Sequence, residues 1–395
     1  MADLESRASQ DAPRHARRGG SGPAGMIVSV VAGAIACVLV GAAATAAVVW
    51  NTYSKAFAAS TVTISETDAP PPDIGALEGG FNIMLFGSDT REGQGGLGDG
   101  GGDAGERNDV NILLHVAADQ QSAVAVSFPR DMRIPMPDCA TYWGYTASFN
   151  VALNEGFGCA VDEVSNFTGL RIDFAAKITF VGVVNMTQVI GGVDVCTVGP
   201  VYEDDNAREP FIPGAGTWNL QGYDALRFLR TRYGVGDGSD WGRISSQQVY
   251  LSSLVRKIKS DHVLEDVTKL FPVAQNALSN LQVSNSLSSP WIIVQIAKVF
   301  ANMPLNRITF VQYPSHSSDG GVVPSAAGEQ LMDMIRNDQP FQLDGVGRPG
   351  AAEVDPNAGL TPEEEQQIAD NSGLPTLEGV QGQTAADYTC SVPNS

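Results

Sequence analysis

Residues Phe81–Arg91 read FNIMLFGSDTR. The first part, FNIMLF, is a short apolar run bounded by Gly80 and Gly87, the pattern of a buried strand. Val110–Val116 and Ala123–Phe128 read as two further strands, KITFVGVV at Lys177–Val184 as another, and RITFVQY at Arg307–Tyr313 as the last clear one. Helical patterns lie between them. Ile244, Leu251, Leu254, Val255 and Ile258 recur at helical spacing, and Ala326–Ile335 is a second case that ends between Asn337 and Pro340. Thr361–Ala369 places a proline and three glutamates in its first turn, a good helix start. Strands interleaved with helices predict an α/β domain whose central mixed sheet is covered by helices on both faces. No internal repeat is visible.

The N-terminal segment bears on the compartment. Met26–Val49 carries no charged residue and is long enough to cross a hydrocarbon core of roughly 30 Å at about 1.5 Å per residue. Arg14, Arg17 and Arg18 precede it and only Lys55 is basic just after it, so the N-terminus is expected in the cytoplasm and the rest outside. Trp50 and Tyr53 suit the outer interface. A cleaved signal peptide is the alternative, since small residues abound, but the apolar run exceeds the usual h-region of roughly 7 to 15 residues and favours an uncleaved anchor. The expected organisation is a cytoplasmic arm (1–25), a transmembrane helix (26–50), a proline-rich stalk (51–78), a large folded domain (79–340) and a polar, partly disordered tail (341–395).

Cysteine usage agrees with an outside location. Cys37 lies in the apolar span, leaving Cys139, Cys159, Cys196 and Cys390 as an even set with no zinc spacing. Two disulfides are expected in an oxidising compartment. Three connectivities are open. The favoured one pairs Cys139 with Cys159 across a short loop and leaves Cys196 to tie down the tail through Cys390. The chain carries 24 Lys plus Arg against 44 Asp plus Glu, a net charge of −20, which argues against nucleic acid as the partner.

Against that scarcity, Leu226–Gln248, LRFLRTRYGVGDGSDWGRISSQQ, gathers Arg230, Arg232 and Arg243 beside Asp237 and Asp240. Guanidinium forks pair two-point with phosphate oxygens, so a polyanionic ligand is the functional reading. A surface ion-pair network is the plain one. Arg230 and Arg232 are two apart and would face the same way in an extended chain. Arg243 and Gln247 are four apart and would share a face at the start of a helix, near its positive end. Upstream, GSDTR (Gly87–Arg91) and ERNDV (Glu106–Val110) bracket the glycine-rich Arg91–Arg107, expected to be a mobile loop. Asp89 and Asp109 would thus stand at strand ends, where two carboxylates suit Mg²⁺ held jointly with ligand phosphates. Taken singly, each reads more readily as a turn or strand-capping aspartate. A third group, PRDMRIP (Pro129–Pro135), places Arg130, Asp131 and Arg133 where a strand ends, and Arg130 and Asp131 could merely pair with each other.

These elements together resemble the LytR-CpsA-Psr family of envelope phosphotransferases. The resemblance runs over about Phe81–Asn337, through GSDTR and RND, SFPRDMRIP, FVGVVNMTQVIGGVDV (Phe180–Val195), LQGYDALRFLRTR (Leu220–Arg232) and GSDWGRISSQQ (Gly238–Gln248). It implies transfer of a glycopolymer, with one phosphate, from a polyisoprenyl pyrophosphate carrier to peptidoglycan or to a surface protein. By that likeness Asp89 and Asp109 would hold Mg²⁺ or Mn²⁺. Arg107, Arg130, Arg230, Arg232, Arg243 and Gln247 would clamp the pyrophosphate, and Asp240 would orient arginines or assist the acceptor hydroxyl. The lipid tail needs an apolar groove, for which Phe149, Phe167, Phe174, Ile178, Phe180 and Val184 are candidates beside their ordinary role as core. Two departures stand out: RND replaces the more usual Arg-Ser/Thr-Asp, and Ser246 stands where the family commonly has arginine. A lipid-pyrophosphate hydrolase and a non-catalytic receptor for the lipid-linked polymer are the competing readings; retention of the Asp and Arg set favours an enzyme.

Overall fold

The computed structural model describes residues 61–62, 79–89, 106–204, 207–261, 267–318, 321–359, 362, 366 and 373–394. The expected arm and transmembrane helix lie outside these residues, as do the glycine-rich loop apart from Glu106 and Arg107, the Thr361–Ala369 helix apart from Pro362 and Gln366, and the stalk apart from Thr61 and Val62. Among the described residues no helix is long and apolar enough to cross a membrane.

The strands used below are β1 (Thr61–Val62), β2 (Phe81–Ser88), β3 (Asn108–Val116), β4 (Ala123–Ser127), β5 (Phe174–Ile178), β6 (Val193–Thr197), β7 (Gly216–Leu220), β8 (Leu281–Ser284), β9 (Ile308–Gln312), β10 (Ala352–Val354), β11 (Gly382–Thr384) and β12 (Thr389–Ser391). The helices are α1 (Phe157–Thr168), α2 (Phe180–Val189), α3 (Gly222–Arg230), α4 (Asp240–Ser260), α5 (Val267–Asn280), α6 (Pro290–Asn302) and α7 (Ala326–Arg336). An eight-stranded mixed sheet runs β1-β8-β5-β2-β3-β4-β9-β11. Within it β2 is parallel to β5, β4 is parallel to β9, and β3 lies antiparallel between β2 and β4.

Strand alternation divides the apolar residues between two cores. Met84, Phe86, Leu113, Val126, Phe128 and Val311 pack on one face with Ala160 and Val164 of α1 and Leu331 and Ile335 of α7. Phe81, Ile83, Ile112, Ala125 and Phe310 pack on the other with Leu251 of α4, Leu278 of α5 and Ile292 of α6. The sheet is therefore covered by helices on both faces, as the pattern predicts. A four-stranded sheet, β10-β12-β6-β7, forms a separate core with α3 and α4 around Val195, Phe228 and Tyr250.

One strand expectation is corrected. Lys177–Val184 is not a strand; β5 ends at Ile178 and α2 starts at Phe180. Thr179 sits between them in an extended conformation, and its hydroxyl accepts from the Gly182 amide as an N-cap. An apolar run alone does not separate strand from helix, and here a capping threonine decides it. The tail is built into the fold. β11 forms the last strand of the central sheet against β9, and β12 pairs with β6. Both disulfides follow the favoured pairing, Cys139–Cys159 and Cys196–Cys390, and the second joins facing residues of β6 and β12.

Candidate active site

The C-terminal ends of β2, β4, β5 and β9 and the N-terminal end of β3 lie along one edge of the sheet, where ligands bind in open α/β folds. Asp89 follows β2, Asp109 is the second residue of β3, Arg130 follows β4, and Lys177 is next to last in β5. The β2–β3 register shifts between Gly87 and Ser88, which re-aims the end of β2. Gly87 is required there: a Cβ would lie 2.8 Å from that of Val110. The Asp89 amide donates to the Arg107 carbonyl (3.1 Å) and the Arg107 amide donates to Asp89 Oδ1 (3.0 Å), tying the two ends of the glycine-rich segment together.

The second half of the site comes from the start of α4. Ser239 caps the helix by accepting from the Gly242 amide, and Asp240 and Arg243 occupy the first turn. Arg243 is 4% exposed; it forms an ion pair with Asp240 and donates to the Asp109 carbonyl at 2.8 Å. This last bond joins α4 to β3 across 134 residues of chain. Arg130 Nη1 donates to Asp109 Oδ1 at 2.6 Å and its Nε lies 3.5 Å from Asp131.

Electrostatics make these groups one cluster. Burial raises the Asp89 carboxyl, the Arg107 amide opposes it, and the neighbouring Asp109 charge raises it further. Burial also raises Asp240, against the pull of Arg243 and Arg130. Arg130 is held above its usual value because Asp109, Asp131 and Asp240 outweigh its burial. Arg243 is lowered, first by burial and also by the Arg130 and Arg232 charges, which outweigh Asp240 and Asp109.

The structure thus brings Asp89, Arg107, Asp109, Arg130, Arg232, Asp240 and Arg243 within electrostatic reach of one another. Arg230 and Gln247 stand on the two helices that lead into and out of the arginine loop, α3 and α4. Arg230 ends α3, with its guanidinium 4.0 Å from the Phe180 ring centroid. The extended-chain argument for Arg230 and Arg232 is therefore corrected, since the helix runs through Arg230 and the chain turns extended at Thr231. Gln247 is buried and donates to the Leu229 carbonyl at 2.8 Å, joining α4 to the end of α3. Of the groove candidates, Phe149 and Phe167 belong to the core around Met84 and Phe174 to the opposite core. Phe180 and Val184 form a small separate cluster with Leu226.

Sequence reading missed Lys177. Its ammonium lies 2.6 Å from Glu106, which also accepts from Ser88 Oγ at 2.6 Å, so a further cation stands at the same sheet edge. A lysine at the end of a strand, in so acidic a chain, was the available signal. The two departures also find a physical reason. Asn108 is buried, and its amide reaches Asn111 and the Phe149 carbonyl (3.2 Å), which a shorter hydroxyl at this point could not span. Ser246 is fully buried with its hydroxyl 2.7 Å from that of Ser391 in β12, so the tail occupies the space an arginine side chain needs.

Asp89 and Asp109 are the residues that could hold a divalent cation. Among the described residues the only grouping of three candidate ligands is Cys196, Asp355 and Cys390, whose thiols are joined as a disulfide. Two carboxylates that repel each other, with few further protein ligands, fit Mg²⁺, which takes much of its shell from water and phosphate oxygens.

Comparison with known proteins bears on this site. The chain is 30% identical over 280 residues to the cell wall biosynthesis protein LcpA of Corynebacterium glutamicum, a match covering 63% of this chain and 52% of that one. It thus spans about half the length of that relative. It is 24% identical to the polyisoprenyl-teichoic acid–peptidoglycan teichoic acid transferase TagT of Bacillus subtilis, over 66% of this chain and 78% of that protein. The structure of TagT bound to LIIa-WTA shares the fold at a TM-score of 0.51 and 19% identity, covering 70% of this chain and 98% of the other. A model of the LytR_cpsA_psr family matches residues 46–339, the span that holds every element of the cluster, and the chain belongs to that family.

Proposed function

We propose that the protein transfers a glycopolymer, with one phosphate, from a polyisoprenyl pyrophosphate carrier to an acceptor hydroxyl in the cell envelope. The observation that carries this reading is the convergence of Arg130, Arg232 and Arg243 with Asp89 and Asp109 at the carboxyl edge of the sheet. The names of relatives support it, since TagT and its paralogues are teichoic acid transferases acting from a polyisoprenyl carrier to peptidoglycan. Two disulfides and the charge-free Met26–Val49 span support a single-pass anchor with the catalytic domain outside the cell.

The chemistry asks for positioning and charge neutralisation more than covalent help. The acceptor oxygen attacks the phosphorus that bears the polymer, the bond to the polyisoprenyl phosphate breaks, and that phosphate leaves. The arginine forks hold the pyrophosphate oxygens in line. Arg130 is paired with Asp109, so a phosphate oxygen that it binds competes with that carboxylate for the guanidinium. A divalent cation at Asp89 and Asp109 would neutralise charge developing on the bridging oxygens. Asp240, whose carboxyl is raised by burial, is suited to take the acceptor proton or to hold Arg243 in place.

The test is mass spectrometry of lipid co-purified with the full chain, followed by transfer assays with and without chelator. Polyisoprenyl pyrophosphate glycans should co-purify, and chelator or Asp109→Ala should abolish transfer. A phosphorylated acceptor that never forms, with free polymer phosphate released instead, would identify a hydrolase. Full transfer in chelator removes the metal from the reading.

A further inference from the structure

Beside the site stands a surface that the phosphate chemistry does not use. Arg133–Pro135 and Thr146–Ser148 pair as a short antiparallel hairpin, beginning two residues after Asp131. Its base is fastened into the site: the Asn150 amide donates to the Arg130 carbonyl (3.1 Å), and Asn108 Nδ2 donates to the Phe149 carbonyl (3.2 Å). Its far end, Asp138–Tyr145, reads DCATYWGY and is pinned to α1 by Cys139–Cys159. This end presents Tyr142 at 86% exposure, Trp143 at 38% and Tyr145 at 92%. The Tyr142 and Trp143 rings meet edge to face, 5.8 Å apart, and the indole N–H donates to Glu155 Oε1 at 3.0 Å.

Three exposed aromatic rings on a disulfide-braced turn need a partner. We propose that this turn is the docking platform for the acceptor, a glycan strand of N-acetylated amino sugars. The inference rests on the transferase reading above. Sugar rings lay their C–H faces on aromatic rings, while their hydroxyls seek carboxylates and phenols; Asp138, Glu155 and the two tyrosines supply both kinds of contact. Charge argues against a membrane: Asp138–Tyr145 carries Asp138 and no cation, Glu155 stands beside it, and Arg133 at the hairpin base is taken up by the Thr146 carbonyl (2.9 Å), whereas anionic lipid surfaces recruit free lysine and arginine.

Geometry favours acceptor over donor. The hairpin packs through Met132, Ile134 and Phe149 into the core that contains Met84 and Phe86. The exposed apolar residue of the same strand lies on the opposite face: Leu85 is 38% exposed and alternates with Phe81 and Ile83 of the other core. In-line displacement brings the acceptor in on the side away from the leaving group, and the proposal sets the carrier on the Leu85 side and the acceptor on the hairpin side.

The experiment measures binding of chitotetraose, a soluble tetramer of N-acetylglucosamine, to the full chain by calorimetry, with geranyl pyrophosphate and anionic vesicles as parallel probes. Trp143→Ala and the double variant Tyr142→Ala/Tyr145→Ala should each weaken chitotetraose binding at least tenfold and leave geranyl pyrophosphate binding unchanged. The tyrosine pair is almost wholly exposed, so that variant stays informative if loss of Trp143 disturbs folding. Absence of chitotetraose binding to the wild type, or equal binding by all variants, overturns the proposal. Loss of vesicle binding with sugar binding intact also overturns it and makes the turn a membrane contact. If geranyl pyrophosphate itself fails to bind, the pyrophosphate site has failed, separately from the hairpin.

Discussion

At the residue scale, the arginines of the cluster differ in what they do for the fold. Arg232 is half-buried, whereas Arg243 is almost wholly enclosed and faces Asp240. Removing one partner of a buried pair leaves the other charge uncompensated, at a cost of about 3–5 kcal/mol. Arg232→Ala should therefore abolish most transfer with an unchanged melting temperature. Arg243→Ala should lose both activity and stability, and adding Asp240→Asn should restore stability without restoring transfer. Thermal melts and transfer assays on the three variants check this. Equal melting temperatures for all three would mean that Arg243 and Asp240 do not depend on each other in the fold. Before the structure, all these arginines looked alike, because burial is not written in a residue's identity.

At the element scale, the tail acts on the site. The Gly236 amide donates to the Val392 carbonyl (2.7 Å), and the Asn394 amide donates to the Gly234 carbonyl (3.2 Å). Gly236 adopts a positive φ of 59°, and a Cβ there would lie 2.9 Å from Gly242 Cα, so the turn between Arg232 and Arg243 closes only with glycine. Backbone from 392–394 thus braces the loop that leads into α4, and Cys196–Cys390 holds that backbone in register. Cys390→Ser should cost about 2–4 kcal/mol in stability. It should also lower transfer, as the arginine loop loosens, with faster amide exchange at 234–238. Unchanged exchange in that loop would confine the disulfide to a purely local role. The cysteine count made two bridges legible; that one of them supports the arginine loop depends on β12 lying beside β6.

At the scale of the whole molecule, stability should depend on pH through a group remote from the site. Glu163 on α1 is fully buried with no hydrogen-bond partner for either oxygen, and burial pushes its carboxyl from 4.5 up to about 9. A carboxyl raised in the folded state adds stability that is complete below the unfolded value and is lost as pH rises through the folded one. Between the two, stability should fall by up to about 1.4 kcal/mol per pH unit. His115 acts in the other direction: burial lowers it against the opposing Asp338, so its contribution is present above its ordinary value and lost as pH falls. Urea unfolding should show lower stability at alkaline than at mildly acidic pH, and Glu163→Gln should flatten that limb. An unchanged slope in the variant would place the charge elsewhere.

The sequence by itself determined the α/β class, the central strands β2, β3, β4 and β9, the helix carrying Arg243, the even set of cysteines beyond Cys37 and the family. All of these rest on short-range signals: period, capping residues, and charged residues that follow strand ends. Tertiary structure alone decided the rest. It showed that KITFVGVV divides at a capping threonine, that Lys177 joins the charged edge, and that Gln247 ties α4 to the end of α3. It also placed the tail where a family arginine would go. Each of these depends on which distant segments share space, and periodicity along a chain carries no record of that.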